Sequence, residues 1–313
     1  MITNFTDNQI WNSIVKVYGL GFDTLSINSS KIYFSYTNNI YTTAPYASYG
    51  GVIINNKLDL NEIVNQIINL YKNKKLKYIL LKTDYDYFND FKNIFFCNLL
   101  YSTFILDLSI GIDRLWIEKL DKKTRNQVRK GLNQNIDVKF GHYELLKDYY
   151  LVISNCWRDL GTPTHSFEFH KSILHGFKSD CKIIVIYYKN KPVSAALLII
   201  QENTIHHPFA GTIKKYNSMS LNNVLYWKII EFACEKKLKY WDMGRSPKQS
   251  GGAKYKLSWG AEEKQLYYYY LTDSKSKIPN YSKKLIKIAT YIWKFIPLIL
   301  ANKLGYYFIK NEL

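Results

Sequence analysis

The sequence predicts an α/β protein of two successive units followed by a basic tail. Three observations carry this reading. The 313 residues exceed what one hydrophobic core usually organises. Apolar runs of strand length alternate with segments of helical periodicity, first to about residue 110 and again over 111–273. The closing stretch, 274–313, holds eight Lys and one Glu among aromatic and aliphatic side chains.

The elements follow in order. Residues 31–54 alternate aromatic, β-branched and polar positions and read as short strands joined by turns. Over 61–75, Ile63, Val64, Ile67, Ile68 and Tyr71 recur at helical spacing. The run 78–81 reads as a buried strand, and YSTFILDL as another. From Asp113 to about residue 135 the pattern is that of one helix, with Trp116, Leu120, Val128 and Leu132 along one stripe and Lys122, Arg125 and Arg129 on another. A further helix over 143–159 leads to a turn at 161–163. CKIIVIYYKNKPVSAALLII and TIHHPFAG give three strands, the first two joined by a KNKP turn. SLNNVLYWKIIEFACEKK reads as an amphipathic helix with Ser218 or Ser220 as N-cap. KYWDM is a short strand, GRSPKQSGG a glycine-rich loop and LYYYYL a last strand. The tail is either an interfacial segment on anionic lipid or a helical hairpin docked on the protein.

A formal charge of +18 invites a polyanionic partner such as tRNA, a nucleotide diphosphate or an anionic lipid headgroup. The abundance of Lys, Asn, Ile and Tyr is equally the mark of an AT-rich genome. Cys97, Cys156, Cys181 and Cys234 share no short spacing, against a disulfide framework or a CxxC zinc site. The start shows neither a basic n-region nor an apolar run, so no signal peptide is expected and a cytoplasmic location fits. The longest apolar run near the C-terminus is interrupted by Lys294 and Pro297, too soon to span a bilayer. His165, His170 and His175 are five apart, His206 and His207 point to opposite faces of a strand, and neither HExxH nor GxSxG occurs. Neither a metal site nor a serine-hydrolase elbow is expected.

The most informative stretch is KYWDMGRSPKQSGGAKYKLSWGAEEKQL. Gly244, Gly251 and Gly252 let backbone amides approach an anion, and Arg245, Lys248, Lys254 and Lys256 supply charge beside Tyr255 and Trp259. The alternative is a mobile surface loop.

This stretch, with its Asp-x-Gly-Arg-Ser and aromatic-Lys-x-x-Trp-Gly-Ala-Glu patterns, resembles the C-terminal signature of FemAB-related, GNAT-like proteins. Further matches run in order along the chain: Pro45, Ser48, Tyr49, Gly50 and Gly51; a Leu-Trp pair followed by Arg-Asn-Gln-Val-Arg-Lys; Arg158, Gly161, Thr162 and Pro163; and Asn217, Asn222, Asn223, Leu225, Tyr226 and Trp227. The tail from Trp293 to Gly305 resembles the ends of exopolysaccharide-associated members.

The resemblance implies two tandem GNAT-like domains with mixed sheets, 1–110 and 111–273, plus the basic amphipathic helical tail 274–313, with the acceptor between the domains. It also implies amide formation on an amine of a cell-envelope sugar, nucleotide- or lipid-linked, with the stem peptide of a peptidoglycan precursor as the second acceptor. Lys256 would stand at the reaction centre and offset charge developing on the carbonyl oxygen. Asp242 is either a general base or the residue that orients Arg245, the orienting role being preferred. Arg158, Asn222 and Arg245 would line the cleft with Trp227 and Trp259 as walls, and Tyr49, Thr162, Asn223, Tyr226 and Ser246 complete the substrate-binding set. The glycine turn that binds the pyrophosphate of acetyl-CoA is replaced by KYNSMSLNN. Acyl-CoA is the donor expected here, with aminoacyl-tRNA, the donor of the cell-wall members, as the alternative. The rival of another class is a non-catalytic module that binds RNA or membrane by charge.

Overall fold

The structure, a computed structural model, describes residues 4–37, 39–279 and 284–310. It begins with α1 (Gln9–Val15) and the strands β1 (Gly21–Ile27), β2 (Ser30–Thr37), β3 (Ile40–Thr43) and β4 (Val52–Ile53). Next come α2 (Leu60–Asn73), β5 (Tyr78–Thr83), β6 (Phe96–Asn98) and β7 (Tyr101–Asp107). A short turn, α3 (Ile112–Arg114), leads to α4 (Lys122–Leu132), β8 (Ile136–Gly141), α5 (Leu146–Leu160) and α6 (Phe167–Phe177). β9 (Cys181–Tyr188), β10 (Lys191–Gln201) and β11 (Thr204–Thr212) precede α7 (Leu221–Glu235) and β12 (Tyr240–Pro247). The described chain ends with α8 (Gly251–Leu257), β13 (Glu262–Gln265), β14 (Tyr267–Leu271), α9 (Lys284–Trp293) and α10 (Leu298–Lys310).

The strands form two mixed sheets. The first has the order β1-β2-β3-β5-β14-β6 with β4 beside β2, and the second β13-β7-β12-β11-β10-β9-β8. β3 with β5 and β11 with β12 are the parallel pairs; the remaining pairs are antiparallel. The second sheet is covered on both faces. Ile183, Val185, Ala195 and Leu197 point to the core under α5 and α6, whereas Ile184, Ile186, Ala196 and Leu198 point to the core under α4 and α7. This period-two division of continuous apolar runs is what a strand buried on both faces requires.

The first sheet is covered differently. Ile79, Leu81, Tyr269 and Leu271 meet Ile63, Val64 and Ile67 of α2 in one core. Their neighbours Tyr78, Leu80, Tyr268 and Tyr270 form a separate cluster on the opposite face.

The sheets do not divide the chain at residues 110 and 273. β7 lies before residue 110 yet sits in the second sheet, between β13 and β12. β14 comes from the far end of the second unit and pairs with β5 and β6 of the first. α1 also packs away from its sequence neighbours: Trp11, Ile14 and Val15 are buried with Phe169, Ile173 and Phe177 of α6.

Local departures from the expected elements have identifiable causes. The helix expected from Asp113 to residue 135 is two pieces. Residues 115–119 form a π-type turn, Leu120 is extended, and Asp121 caps a new helix by accepting from the Thr124 N–H. The N-cap position of α7 is Ser220, in the left-handed region at φ 60°, but its hydroxyl does not cap; it donates to Gln127 Oε1 on α4. α7 is also not amphipathic, because Leu221, Val224, Leu225, Tyr226, Trp227, Ile229 and Ile230 are all buried. The stretch GRSPKQSGG is not one loop. GRSP continues β12, and Ser250 caps α8 through the Ala253 N–H at 3.2 Å. α5 ends on Gly161 at φ 82°, where a Cβ would lie 2.2 Å from the Thr290 carbonyl of α9, so both the turn and the contact require glycine.

The tail forms two helices against the body, and residues 280–283 and 311–313 lie outside the described residues. Trp293, Ala301 and Ile309 are buried, and a Cβ on Gly305 would fall 2.5 Å from the Thr164 carbonyl.

Candidate active site

β11 and β12 run parallel for only three residue pairs, Thr204–Tyr240, Ile205–Trp241 and His206–Asp242. Beyond Asp242, β12 slips in register against β7 before pairing resumes at Arg245 with Thr103. Gly244 occupies this bulge at φ 71°, a conformation that suits glycine.

The bulge is held from two sides. Asp242 Oδ1 accepts from the Gly244 N–H at 2.8 Å and from Thr103 Oγ1 at 2.6 Å. Its Oδ2 accepts from Tyr49 OH at 2.8 Å and lies 3.6 Å from His206 Nδ1. From α8, Lys256 Nζ donates to the Gly244 carbonyl at 2.7 Å and the Arg245 carbonyl at 3.0 Å. Burial by itself would raise the Asp242 carboxyl. Hydrogen bonding and charge from His206, then the Thr103 and Tyr49 hydroxyls, outweigh it and hold Asp242 well below the usual carboxylate range. Burial pushes the Lys256 amine down to about 8, with Asp242 opposing and Arg245 adding to the fall.

What the clamp positions is Arg245. Its backbone N–H donates to Ser48 Oγ at 3.2 Å, and its Nη1 donates to Tyr268 OH at 2.7 Å. The guanidinium lies 4.8 Å from the Tyr101 ring centroid. Tyr268 OH in turn donates to the Ser48 carbonyl. One bulge in the second sheet therefore sends a cation onto the tyrosine face of the first.

Arg245 forms part of the wall of a cleft of about 900 Å³. Tyr78, Leu80, Tyr268 and Tyr270 floor it, Lys82 and Lys275 add charge, and Leu99, Leu100 and Tyr101 form one side. Lys82 Nζ donates to the Ala44 carbonyl at 3.1 Å. Among the described residues that line the cleft there is no Asp or Glu. Such a surface suits an anionic group flanked by a flat or sugar-like moiety that stacks on tyrosine.

The expected site residues separate into three groups. Arg245 lines the cleft, and Tyr49, Asp242 and Lys256 build the clamp behind it. Ser246 follows on β12, buried opposite Ser102. The second group gathers around α7, its aromatic members in the core and Asn222 and Asn223 half-buried at the helix start. Trp259 is buried beside Tyr226, ring centroids 5.5 Å apart, and Trp227 is buried against Trp116 at 4.7 Å, so neither tryptophan walls the cleft. Asn222 Nδ2 donates to Tyr255 OH at 3.0 Å, and the Asn223 N–H donates to the Ser220 carbonyl at 3.0 Å within the first turn of α7. The third group is Arg158 and Thr162. Arg158 pairs with Asp159 at 2.7 Å in a separate depression of about 690 Å³, beside Lys191, Lys214 and Lys215. Thr162 is exposed at the end of α5.

The basic face of α4 is partly committed as well. Arg125 Nη1 donates to the carbonyls of Trp116, Ile117 and Leu120, closing the π-type turn, and Arg129 lies over the Trp116 ring at 5.2 Å. His207 is neutral. Trp241 Nε1 donates to its Nδ1 at 2.9 Å, its Nε2 faces Tyr226 OH at 3.1 Å, and burial pushes its pKa down to about 3. Among the described residues, no cluster of three His, Cys, Asp or Glu is arranged to hold a metal ion.

Sequence reasoning did not find Lys82, Tyr101, Tyr268 or Lys275. A signal was present in LYYYYL and KYILLK: both strands are apolar on alternate faces, but a single helix, α2, was available to cover them. The face away from α2, where Tyr78, Leu80, Tyr268 and Tyr270 are buried with Tyr49 and Leu266, is the cleft floor.

The profile of the acetyltransferase (GNAT) domain matches residues 122–257, from α4 to α8. No curated protein matches the chain in sequence. Among solved structures, FemX is similar at TM-score 0.67 with 13% identity, over 85% of this chain and 92% of that one. L-PGS from Bacillus licheniformis is similar at TM-score 0.59 with 12% identity, over 93% and 98%. A tandem GNAT protein from the clavulanic acid biosynthesis pathway is similar at TM-score 0.52 with 5% identity, over 80% and 82%. Residues 122–257 are a domain of the GNAT superfamily, set in a chain that shares the two-sheet fold of FemX.

Proposed function

We propose that this chain is an aminoacyltransferase that draws an aminoacyl group from aminoacyl-tRNA and places it on an amine of a phosphate-bearing cell-envelope precursor. The amine nitrogen attacks the ester carbonyl carbon, the bond to the ribose oxygen breaks, and the amine proton ends on that oxygen. The observation that carries the reading is the cleft between the sheets, whose described lining is tyrosine-rich and basic, with Arg245 fixed at its wall. The precursor's phosphate would pair with Arg245 and its sugar or peptide would lie along the cleft side of Leu99, Leu100 and Tyr101. Lys256 and Asp242 act as positioning residues that hold the bulge.

The start of α7 favours aminoacyl-tRNA over the acyl-CoA first expected. A pyrophosphate at a helix start needs open backbone amides. Here the N–H groups of Ser220, Asn223 and Val224 are bonded to nearby carbonyls, which leaves those of Leu221 and Asn222 as the narrow opening at the helix start. α4 presses on the same turn, since a Cβ on Gly131 would lie 2.4 Å from Val224 Cγ2 and 2.9 Å from the Ser220 carbonyl. The likeness to FemX and L-PGS over most of the chain points the same way.

The test supplies the purified protein with a mixed pool of radiolabelled aminoacyl-tRNA, or with labelled acetyl-CoA, together with extracted envelope precursors. Label moving from tRNA into a precursor, and released by amide but not mild ester hydrolysis, is the expected result. Transfer from acetyl-CoA alone would restore the acyl-CoA reading. Salt-sensitive RNA binding with no transfer from either donor would leave a binding module.

A further inference from the structure

The outer side of α9 and α10 is built for a surface that the rest of the chain does not provide. Among the described residues, nine of the 22 exposed large apolar side chains fall between Ile288 and Phe308. They include Tyr291, Phe295, Ile299 and Tyr307, with exposures of 64%, 69%, 74% and 64%. The inner side is fixed by Trp293, Ala301, Gly305 and Ile309, and by Tyr306 OH donating to the Val17 carbonyl at 3.4 Å. The pair is therefore seated on the body, and its apolar outer face is not an undocked core.

Charge identifies the occupant. From Ser274 to Lys310 there is no Asp or Glu, and Lys294, in the turn after α9, and Lys303 and Lys310 on α10 are exposed. Aromatic and aliphatic side chains interleaved with lysines match an anionic lipid interface, where rings enter the headgroup layer and ammonium groups meet phosphates. No helix among the described residues is long and apolar enough to cross a membrane. Helices of 10 and 13 residues have the length of segments that lie along a bilayer and do not cross it.

We infer that α9 and α10 dock the protein on an anionic bilayer surface and hold the mouth of the Arg245 cleft beside the headgroups. The link between the two is direct. Tyr46 lines the cleft and donates its OH to the Ile309 carbonyl of α10 at 3.3 Å, and Lys275, Ile278 and Pro279, just before α9, line the same cleft. Delivery of a lipid-linked acceptor from that surface rests on the transfer reading; the docking itself does not.

The test is sedimentation of the full chain with sucrose-loaded vesicles, needing neither donor nor acceptor, so its failure is separate from failure of the transfer reading. Vesicles of phosphatidylcholine with one quarter phosphatidylglycerol should carry the protein down, and pure phosphatidylcholine should carry at least about tenfold less. Lys294→Glu with Lys303→Glu should reduce anionic binding about tenfold or more, and so should Phe295→Ser with Ile299→Ser, with circular dichroism and Tm unchanged. Protein remaining in the supernatant with anionic vesicles, or binding neutral vesicles equally, overturns the proposal. So does a dimer in light scattering that Phe295→Ser with Ile299→Ser converts to monomer, since a second copy would then cover the face. Should the apolar variant misfold, the charge-reversal pair alone decides the outcome.

Discussion

Replacing Lys256 with Met should change how stability depends on pH, and the size of the change follows from its burial. Lys256 is 8% exposed and its amine is held at about 8, against roughly 10.4 for lysine in an unfolded chain. Below pH 8 both states carry the proton. Between pH 8 and 10.4 the unfolded chain still binds it and the native chain has released it, so stability rises with pH across that window. The full gain is the shift multiplied by about 1.36 kcal/mol per unit, or about 3 kcal/mol, and about 2 kcal/mol of it is reached by pH 9.5. Stopping there keeps most tyrosine ionisation out of the measurement. The assay is urea unfolding by tryptophan fluorescence at pH 7.0, 8.0, 9.0 and 9.5 on wild type and Lys256→Met. The variant also strips donors from the Gly244 and Arg245 carbonyls, at roughly 1–3 kcal/mol for each buried group left unpaired, but that loss is nearly independent of pH. The stability difference, wild type minus variant, should therefore climb by about 2 kcal/mol from pH 7.0 to 9.5. A constant difference would mean that Lys256 titrates as an exposed lysine, and the account of a buried ammonium clamping the bulge would fail.

Two further outcomes follow from the same geometry. Arg245→Met should raise KM for a phosphate-bearing acceptor roughly 10- to 100-fold with a smaller change in kcat, since it removes a charge-assisted contact but leaves the clamp intact; steady-state kinetics at varied acceptor concentration would expose an unchanged KM. Gly131→Ala should cost roughly 1–3 kcal/mol, because its Cβ would sit 2.4 Å from Val224 Cγ2 and 2.9 Å from the Ser220 carbonyl, and a thermal melt within a degree of wild type would contradict the tight packing of α4 on α7.

Where the sequence was informative, one physical signal dominated each segment. β9 and β10 are continuous apolar runs meeting at Lys189 and Asn190, both with positive φ in the turn, and the KNKP signal marks that turn. α2 shows a clean apolar stripe. α6 was missed because FEFHKSILHGF places His170 in the core, where it faces Tyr149 OH at 3.1 Å, so the buried stripe reads as mixed. α8 was hidden because its first two residues are glycines, poor helix formers that are tolerated here after a Ser250 cap. That error mattered, since the helix is what turns Lys256 back toward Gly244 and Arg245. Tyr49, Asp242, Lys256 and Arg245 were named from motifs spread over two hundred residues, but their mutual bonding was not legible. It depends on Ser48 and Tyr49, in the loop between β3 and β4, reaching the bulge of the second sheet, a long-range contact that no local pattern encodes.

The arrangement of the cleft follows from the two places where the chain changes sheets. It passes from β6 to β7 through Leu99 and Leu100, and from β13 to β14 through Leu266. The two crossings lie side by side: the Leu266 N–H donates to the Tyr101 carbonyl at 3.0 Å, and Gln265 Nε2 donates to the carbonyls of Leu99, Tyr101 and Leu266. Side chains at the crossings, Leu99, Leu100 and Tyr101, form one side of the cleft, and β14 contributes Tyr268 and Tyr270 to its floor. Had each unit kept its own strands, Tyr268 would lie in the second sheet, away from Tyr78 and Leu80, and Arg245 would lack the hydroxyl it bonds. The strand exchange therefore builds the cleft and also locks the sheets together. Sliding one unit past the other would break the pairing of β7 with β12 and of β14 with β5. The strand exchange thus fixes the floor and side of the cleft, and Lys275, Ile278 and Pro279 add to its lining from beyond β14.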